Sequence, residues 1–404
     1  MSQMTDSAPS GGALSGIRIL DFTHVFQGPV CTQLLADFGA DVIKVERPSV
    51  GDWRRAWGPF VGDVSLPFAG LNRNKRSVVV DLKAEEGVEL VKRMASKSDV
   101  FVQNFRPGSL ERMGLGYEQL REINPALVYC TISGFGTTGP YARRAGFDLV
   151  AQGMSGLMSI NGHPGGPPTK VGVPITDLNA GIFAAYGILT AYIHRLKTGE
   201  GQHVDTSLME SGIACTFWES AMYFATGNIP GPMGSAHRLT APYQAFQTSD
   251  GYVNIGAANQ SNWERLCRAI GREKLVEDTR FLQPSDRMDN IDDLTATLDE
   301  TFASENSQHW LDTLAEAGVP AGPIYNMADV YADPQVQARE MMVEMDHPTA
   351  GRIKNIGVPV KLSETPGSVR SPSPLLGQHT DDVLSDMGCL EDEIAALRAA
   401  GVIQ

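Results

Sequence analysis

An aspartate near the start of a long predicted helix is a candidate for covalent chemistry. Asp177 follows Pro174, and apolar residues then recur every three to four positions until Gly199 closes the segment, which is the spacing of a helix. A carboxylate in a first helical turn can cap free backbone N–H groups, or the positive helix end can hold it there as a reagent. The sequence leaves both interpretations open at Asp177.

The predicted helix has one apolar stripe and an incomplete capping pattern. We expect the stripe to be its buried face, formed by Leu178, Ile182, Ala185, Leu189, Ile193 and Leu196. If Asp177 were the cap, a capping box would need Glu or Gln three positions later, but that residue is Ala180. This departure weakens the capping interpretation slightly.

Cations and one amide follow several predicted strands. These residues and an adjacent aromatic are Arg47, Lys83, Asn104, Phe105, Arg106 and Arg112. In a parallel sheet flanked by helices, ligands bind beyond the carboxyl ends of the strands. Taken together, the residues indicate a site for an anionic ligand, although each alone could be a solvated surface residue.

Several other chemistries find no support in the sequence. The five cysteines are scattered without a C-x-x-C pair, and the eight histidines lack metal-ligand spacing. Residues 134–139 match G-x-G-x-x-G, but Pro140 and polar residues follow instead of an apolar helix. We therefore expect neither a metal site nor a dinucleotide fingerprint.

Composition narrows the class of partner. The chain has 404 residues with 33 basic against 47 acidic side chains, a formal charge of −14, which argues against a nucleic-acid or basic membrane-surface protein. Residues 1–13 lack the features of a signal peptide, and no apolar run is long enough for a membrane span. We predict a soluble cytoplasmic protein with a disordered tail over residues 1–13.

Strand and helix patterns alternate through the first two hundred residues, which predicts an α/β fold with a doubly wound, mainly parallel, Rossmann-like sheet. An aromatic segment and alternating hairpin strands then mark a smaller α+β domain. We expect a large domain over residues 14–219, the small domain over 220–324, and a linker that returns to the large domain over 325–404.

Six motifs in this order resemble the family III CoA-transferases, which include formyl-CoA and carnitine CoA-transferases and the 2-methylacyl-CoA racemases. The motifs are LDFTHV, GADVIKVERP, NRNKRSVVVDL, VQNFRPGSLERMGLGY, GPPTKVGVPITDLNAG and RLKTGEGQHVDTSL. The resemblance spans nearly the whole chain. It implies a large domain built from both chain ends and a homodimer of two interlocked subunits.

The resemblance also implies roles for individual residues. Asp177 stands where family members carry a catalytic aspartate that becomes an aspartyl-CoA thioester. A CoA thioester would be a substrate, with no permanently bound cofactor, and a small carboxylic acid would be the second substrate. The residues that would contact CoA are Phe26, Gln27, Arg47, Lys83, Asn104, Phe105, Arg106, Arg112 and Arg144.

Departures from the family pattern bear on the substrate. The racemase branch has a histidine where this chain has Phe147, which cannot carry a proton. The four-glycine run of the formyl-CoA transferases is replaced by Gly231-Pro232-Met233-Gly234, which disfavours oxalate. We therefore expect transfer from a succinyl-CoA-type donor to a dicarboxylate or similar acceptor. Candidates for holding a second carboxylate are His163, His237, Arg238 and Arg144.

Two alternatives stay open. The protein could be a racemase or another enolising acyl-CoA enzyme, which would exchange the α-proton of a 2-methylacyl-CoA. It could also be a CoA-binding protein without catalysis, in which Asp177 only caps its helix. Met222 and the aromatic residues Trp218, Tyr223 and Phe224 are expected in a core or a subunit contact.

Overall fold

The computed structural model describes residues 11–404. The predicted disordered tail, residues 1–13, lies almost entirely outside these residues. The chain forms two compact units: the first contains the described residues up to Met158 together with Lys170–Gly227 and Pro334–Gln404, and the second contains Ser159–Thr169 and Asn228–Asp333. The first unit is thus assembled from three segments, and residues 159–169 group with the second unit rather than with the segments around them.

The bounds of the strands are β1 Arg18–Phe22, β2 Asp41–Glu46, β3 Phe60–Val61, β4 Val64–Ser65, β5 Lys75–Val79, β6 Val100–Gln103, β7 Val128–Ser133, β8 His203–Ser207, β9 Tyr243–Gln247, β10 Tyr252–Gly256, β11 Ala321–Pro323, β12 Met342–His347 and β13 Gly351–Ile356.

The bounds of the helices are α1 Gln27–Asp37, α2 Leu66–Leu71, α3 Glu85–Ser96, α4 Ser109–Arg112, α5 Tyr117–Ile123, α6 Asp148–Met154, α7 Leu157–Ile160, α8 Ile175–Thr198, α9 Leu208–Ala214, α10 Phe217–Thr226, α11 Gln260–Ala269, α12 Pro284–Asp289, α13 Ile291–Phe302, α14 Ser307–Glu316, α15 Met327–Ala332, α16 Pro334–Ala338, α17 Thr380–Asp386 and α18 Glu391–Ala399.

A six-stranded parallel sheet organises the first unit. Its order is β5-β2-β1-β6-β7-β8, and every neighbouring pair is parallel. The chain winds outward from β1 in one direction and then from β6 in the other, which is the doubly wound order. The predicted α/β class and mainly parallel sheet are confirmed, and the sheet has its topological switch point between β1 and β6.

Alternating residues of the strands pack against helices on both faces of this sheet. On one face, Leu20 and Ile43 join a core that includes α3 and the C-terminal helices α17 and α18. On the other face, Ile19 and Val42 join a core with α1 and α8. Since both faces are covered, the central strands β1, β6 and β7 are almost entirely buried, as expected for parallel sheets.

Helix α8 has the predicted extent, but only Ala185 of the apolar stripe that was predicted to be buried is buried, and the rest of that prediction is wrong. The helix ends at Gly199, whose φ of 80° suits glycine at a helix C-terminus. Its buried residues are mostly small, and include Ala180, Gly181, Ala184, Ala185, Ile188 and Ala191. The large apolar residues Ile182, Tyr186, Ile193 and Leu196 are exposed instead.

The reason for this reversal is close packing. Small side chains allow the axes of α8 and its neighbour α1 to approach each other. Because α8 packs closely against both the sheet and α1, its buried face has no room for larger residues. The hydrophobic period identified the helix correctly, but it did not say which apolar stripe faces the core.

The aromatic residues of α10 do not lie in a core. No residue of this helix is buried, and Phe217, Trp218, Tyr223 and Phe224 are all at least half exposed. The expectation that these residues lie in the core is therefore wrong within this subunit. The alternative expectation, a subunit contact, stays a prediction.

The second unit contains an antiparallel sheet of order β11-β10-β9. Its core includes Phe246, Val253, Trp263, Phe302 and Leu314 from the sheet and from α11, α13 and α14. The antiparallel hairpin that the alternating pattern of residues 243–257 predicts is thus present. A further antiparallel hairpin, β12-β13, belongs to the first unit and was not predicted.

The C-terminus closes the β5 edge of the parallel sheet. Asp81 donates its N–H to the carbonyl of Val402, and Val80 forms an isolated bridge with Ile403. The hydroxyl of Thr380 donates to the carbonyl of Gln404. Residues at opposite ends of the sequence therefore build one unit. No helix within residues 11–404 has the length and apolar character needed to cross a lipid bilayer.

Candidate active site

A pocket of about 540 Å³ lies in the first unit beyond the carboxyl ends of its central strands. Ligands of doubly wound sheets bind in this crevice because the strand order reverses there and the loops diverge. The residues lining it are Phe22, His24, Val25, Gln27, Val45, Glu46, Arg47, Trp53, Val80, Asp81, Leu82, Lys83, Asn104, Phe105, Arg106, Ser109, Met113, Gly146, Phe147, Asp177 and Leu208.

Asp177 lies in the wall of this pocket, in the first turn of α8. It is not the cap of that helix: the N-cap position is Pro174, and no side chain of the cap position bonds a backbone N–H. Burial and the negative charge of Asp148 raise the pKa of Asp177 to about 7, while Arg54 opposes the shift. The carboxylate is therefore poised between its two protonation states near neutral pH.

The capping is done instead by Asp148, from the start of α6. Its Oδ1 accepts hydrogen bonds from the backbone N–H of Thr176 at 3.0 Å and from the Thr176 hydroxyl at 2.7 Å. Its Oδ2 accepts from the amide of Gln152 at 2.7 Å. A residue far from α8 in sequence thus satisfies a free N–H of that helix, so that the Asp177 carboxylate has no capping role.

The loop after β1 carries an unusual backbone conformation. Val25 has a φ of 72°, which is a genuine outlier for a β-branched residue. Its N–H donates to Asp52 at 3.2 Å, and its carbonyl accepts from the Arg54 Nε at 3.3 Å. Strain of this kind persists only where surrounding contacts fix the backbone, and it is common in functional sites.

A buried ion pair supports this loop. Lys44 and Asp52 approach to 2.9 Å, and both side chains are completely buried. Lys44 also donates to the carbonyl of Thr23 at 2.7 Å. Although burial alone would raise the pKa of Asp52, Lys44 and His24 lower it to about 2. Asp52 is therefore ionised while it accepts the Val25 N–H.

Two of the residues predicted to contact CoA hold the same loop. The Asn104 amide accepts from the His24 N–H and donates to the His24 carbonyl, both at 2.8 Å. The Phe105 ring packs edge-on against the His24 imidazole, with 5.1 Å between ring centroids. Both residues line the pocket, but the Asn104 side chain makes both these bonds to the protein backbone.

The predicted cations divide into two groups. Arg47, Lys83 and Arg106 line the pocket together with Gln27, and all three cations are exposed to solvent. Arg112 and Phe26 do not line it. Arg112 lies one helical turn after Ser109 in α4, and its guanidinium approaches the Ser109 hydroxyl.

Arg144 also lies outside the pocket lining, where it packs over aromatic rings. Its guanidinium carbon is 5.4 Å from the ring centroids of both Phe135 and Tyr141. The other candidates for a second carboxylate, His163, His237 and Arg238, belong to the second unit.

One residue of the pocket lining and two charged residues that act on Asp177 from outside this lining were not predicted from the sequence. His24 lies two residues after the end of β1, so the same strand-end rule that identified Arg47 could have found it. Its imidazole has a lowered pKa because it is buried and lies near Lys44. Asp148 and Arg54 have no local signal, since their effect on Asp177 depends on tertiary contacts.

Neither a dinucleotide fingerprint nor a metal site was expected from the sequence. The glycine-rich segment of residues 134–139 is a loop in which Thr137 donates to the Asp205 carboxylate, and no helix follows until Asp148. No group of His, Cys, Asp and Glu side chains that could hold a metal ion occurs in the described part of the chain.

Comparison with known proteins gives consistent matches over nearly the full length. The family model of CoA-transferase family III matches residues 14–380. The chain is 42% identical over 392 residues to succinyl-CoA:glutarate CoA-transferase of Homo sapiens, covering 96% of this chain and 90% of that protein. It is 40% identical over 364 residues to acetyl-CoA:oxalate CoA-transferase of Acetobacter aceti, covering 90% of this chain and 92% of that protein.

The fold matches in the same way. A crystal structure of a CAIB/BAIF family protein from Brucella suis superposes with a TM-score of 0.83 at 39% identity, covering 93% of this chain and all of that one. Together with the family match and the pocket at the switch point of the sheet, this similarity leads to one conclusion: the chain belongs to CoA-transferase family III and is a CoA-transferase.

Proposed function

We propose that this enzyme transfers CoA between small carboxylic acids through a covalent aspartyl-CoA thioester on Asp177. The observation that supports it most directly is the state of this carboxylate. It lies in the pocket wall, it is not the N-cap of α8, and its pKa of about 7 leaves a substantial ionised fraction at neutral pH. A carboxylate in this state is available as a nucleophile.

The proposed reaction uses only carboxylates and thiolates. An oxygen of Asp177 attacks the thioester carbon of the acyl-CoA, and the C–S bond breaks. CoA departs as a thiolate, and an acyl-aspartyl anhydride remains on the enzyme. The thiolate then attacks the aspartyl carbonyl carbon, which releases the first acid and forms the aspartyl-CoA thioester. The acceptor carboxylate attacks the aspartyl-CoA thioester, which forms a second anhydride and releases CoA thiolate. The thiolate then attacks the acceptor acyl carbon of this anhydride, which forms the new acyl-CoA and breaks the bond to the Asp177 oxygen. Asp177 is thereby regenerated without net proton transfer.

The cations of the pocket would bind CoA. Arg47, Lys83 and Arg106 lie in the segments that follow β2, β5 and β6. Charged donors form strong hydrogen bonds to phosphate oxygens. The lining also contains Phe22, Leu82 and Met113, which suit an uncharged pantetheine arm. We assign weaker roles to Arg112, Phe26 and Arg144, because they lie outside this lining.

For the substrates, we propose succinyl-CoA as donor and a dicarboxylate such as glutarate as acceptor. The similarity to succinyl-CoA:glutarate CoA-transferase supports this pair. An oxalate enzyme is almost equally similar in sequence, so overall identity does not separate the acceptors. A panel of mono- and dicarboxylates with succinyl-CoA and acetyl-CoA, analysed for new thioesters, identifies the pair directly.

We also propose that the protein is a homodimer. The outer face of α8 exposes Ile182, Tyr186, Ile193 and Leu196, and α10 exposes Phe217 and Phe224. Large apolar areas of this kind usually mark an interface. A second copy of the chain would bury them, as the family resemblance implies. Light scattering during size-exclusion chromatography should give twice the mass of one chain.

The covalent intermediate gives the central test. After incubation with succinyl-CoA, borohydride should reduce and hydroxylamine should modify Asp177, as located by peptide mass spectrometry. Asp177→Asn should abolish transfer and labelling while CoA binding is retained. Asp292→Asn, in the exposed first turn of α13, is a matched control and should behave like the parent.

Two outcomes would reject the proposal. Full transfer activity of Asp177→Asn would show that Asp177 is not the nucleophile. Incorporation of deuterium at the α-carbon of a 2-methylacyl-CoA, without any acceptor acid, would instead indicate an enolising enzyme. Phe147 lies in the pocket wall, and its phenyl ring offers no proton for that reaction.

A further inference from the structure

The segment that leads into α8 is held by a small network of hydrogen bonds centred on Asp148, which is partly buried. Besides its two bonds from Thr176, the Asp148 carboxylate accepts from Gln152, whose side chain is completely buried. The Gln152 Oε1 in turn accepts the N–H of Val171 at 2.8 Å. Asp148 and Gln152 therefore fix both the start of α8 and the irregular segment before it.

Helix α8 needs this external acceptor. Its N-cap residue is Pro174, which has no side-chain oxygen to accept a free N–H of the first turn. Thr176 is completely buried, so water cannot satisfy its N–H, and an unsatisfied buried donor is costly. Without Asp148, the nearest carboxylate in the same turn is that of Asp177, which would be drawn toward the helix end.

We propose that Asp148 is a positioning residue for the nucleophile: by capping α8 from outside, it relieves Asp177 of the capping role and keeps the Asp177 carboxylate in the pocket. The inference rests on the proposed function of Asp177. Asp148 does not itself line the pocket, so it acts through the helix and through its charge.

The charge of Asp148 has a second effect. Apart from burial, the groups that set the pKa of Asp177 are Asp148, which raises it, and Arg54, which lowers it. The other charged or titratable groups of the pocket wall are His24, Glu46, Arg47, Asp81, Lys83 and Arg106. Asparagine at position 148 would keep an oxygen for capping Thr176 but would remove the charge and the acceptor of the Gln152 amide, whereas alanine would remove all three.

The two variants separate these effects. We expect Asp148→Ala to lower kcat by about 10- to 100-fold with a small change in KM, since displaced catalytic groups lose rates of this order. Asp148→Asn should recover most of that loss. It should also shift the acidic limb of the kcat/KM profile to lower pH, by about half a unit to one unit.

A matched control is available in the same unit. Asp205 accepts hydrogen bonds from the N–H and the hydroxyl of Thr137, the same pattern that Asp148 makes with Thr176, but it does not line the pocket. Asp205→Asn and Asp205→Ala should change the melting temperature at most, and should leave kcat and the pH profile unchanged.

A measurement that does not need catalytic activity distinguishes failure of this proposal from failure of the proposed function. Carbodiimide modifies protonated carboxyl groups, so the pH at which Asp177 is half modified reports its ionisation by peptide mass spectrometry. This midpoint should fall in Asp148→Asn even if Asp177 proves not to be the nucleophile. The proposal is overturned if Asp148→Ala keeps the kcat and the modification midpoint of the parent, or if Asn and Ala at position 148 have identical effects.

Discussion

A Cβ atom placed on Gly181 would lie 2.6 Å from the carbonyl oxygen of Gln27 and 3.0 Å from the Val30 side chain. Gly181 is one turn after Asp177 in α8, and Gln27 is the first residue of α1. The missing side chain thus lets the N-terminal ends of the two helices meet. As a result, Gln27 and Asp177 stand in the wall of the same pocket.

Substitution of Gly181 tests this contact. Gly181→Ala should lower kcat about tenfold and destabilise the fold by about 1–3 kcal/mol, because an extra methyl in a tight contact forces the backbones apart. Activity assays and urea unfolding measure the two effects. Gly153→Ala is the control: this helical glycine has only the Met158 sulfur within 4 Å, at 3.7 Å, and should be neutral or slightly stabilising. Unchanged kinetics in Gly181→Ala would contradict the prediction.

The raised pKa of Asp177 should make the parent less stable at high pH. The folded-state pKa is about 7 against an ordinary value of 3.8, so between these values the folded state binds more protons than the unfolded state. Stability therefore falls as pH rises through this window. Asp177→Asn removes the cost and should be more stable by about 1–2 kcal/mol at pH 8, since partial exposure screens the charge.

Urea unfolding of the parent and Asp177→Asn at pH 5, 6.5 and 8 measures this difference. The advantage of the variant should shrink steadily as the pH is lowered toward 5. A difference in the free energy of unfolding that is the same at all three values would mean that the pKa of Asp177 is not raised.

Arg54 should tune the nucleophile in the direction opposite to Asp148. Its charge lowers the pKa of Asp177, so Arg54→Gln should raise that pKa and move the acidic limb of the kcat/KM profile to higher pH. Since Arg54 also donates to the Val25 carbonyl, the plateau rate should fall as well. Arg54→Lys keeps the charge and should keep the pH profile, which separates the two effects. An unshifted profile in Arg54→Gln would exclude the electrostatic role.

The strained backbone at Val25 should exchange stability for activity. Val25→Gly removes the cost of a positive φ in a β-branched residue and should stabilise the fold by roughly 1 kcal/mol. The freed loop should lower kcat severalfold, because Val25 lines the pocket. Glu340 has a φ of 53° and does not line the pocket, so Glu340→Gly should stabilise the fold without affecting kcat. Thermal unfolding and initial rates distinguish the two variants. Equal kcat values for Val25→Gly and the parent would show that the strained backbone at Val25 has no role in activity.

The cations should contribute unequally to CoA binding. Arg106→Gln should raise KM for the acyl-CoA about tenfold, because a charge-assisted bond to phosphate accounts for roughly 1.5–3 kcal/mol. Arg112→Gln should change KM by less than about twofold, since Arg112 lies outside the pocket lining. Steady-state kinetics at a fixed acceptor concentration compare them, and the reverse order would place the phosphates of CoA nearer to Arg112.

Much of the fold follows from local patterns. The apolar runs of β1, β2, β6 and β7 and the amphipathic period of α3 predict a parallel α/β sheet, because strand and helix periodicities are local properties of the chain. The strand-end rule then places Arg47, Lys83 and Arg106 at one edge of that sheet. The hairpin β12-β13 was missed because the alternation of apolar and polar residues in β12 extends over only residues 343–346.

The sequence by itself determined the helix that carries Asp177, its ends at Pro174 and Gly199, and the first-turn position of the aspartate, since spacing and terminal residues control these features locally. Only the tertiary structure decided which face of α8 is buried, because that choice depends on how closely α1 and the sheet approach. It also decided that Asp148 rather than Asp177 caps the helix. A hydrogen bond between residues 148 and 176 exists only once both segments are packed together, and for that reason no local pattern predicts it.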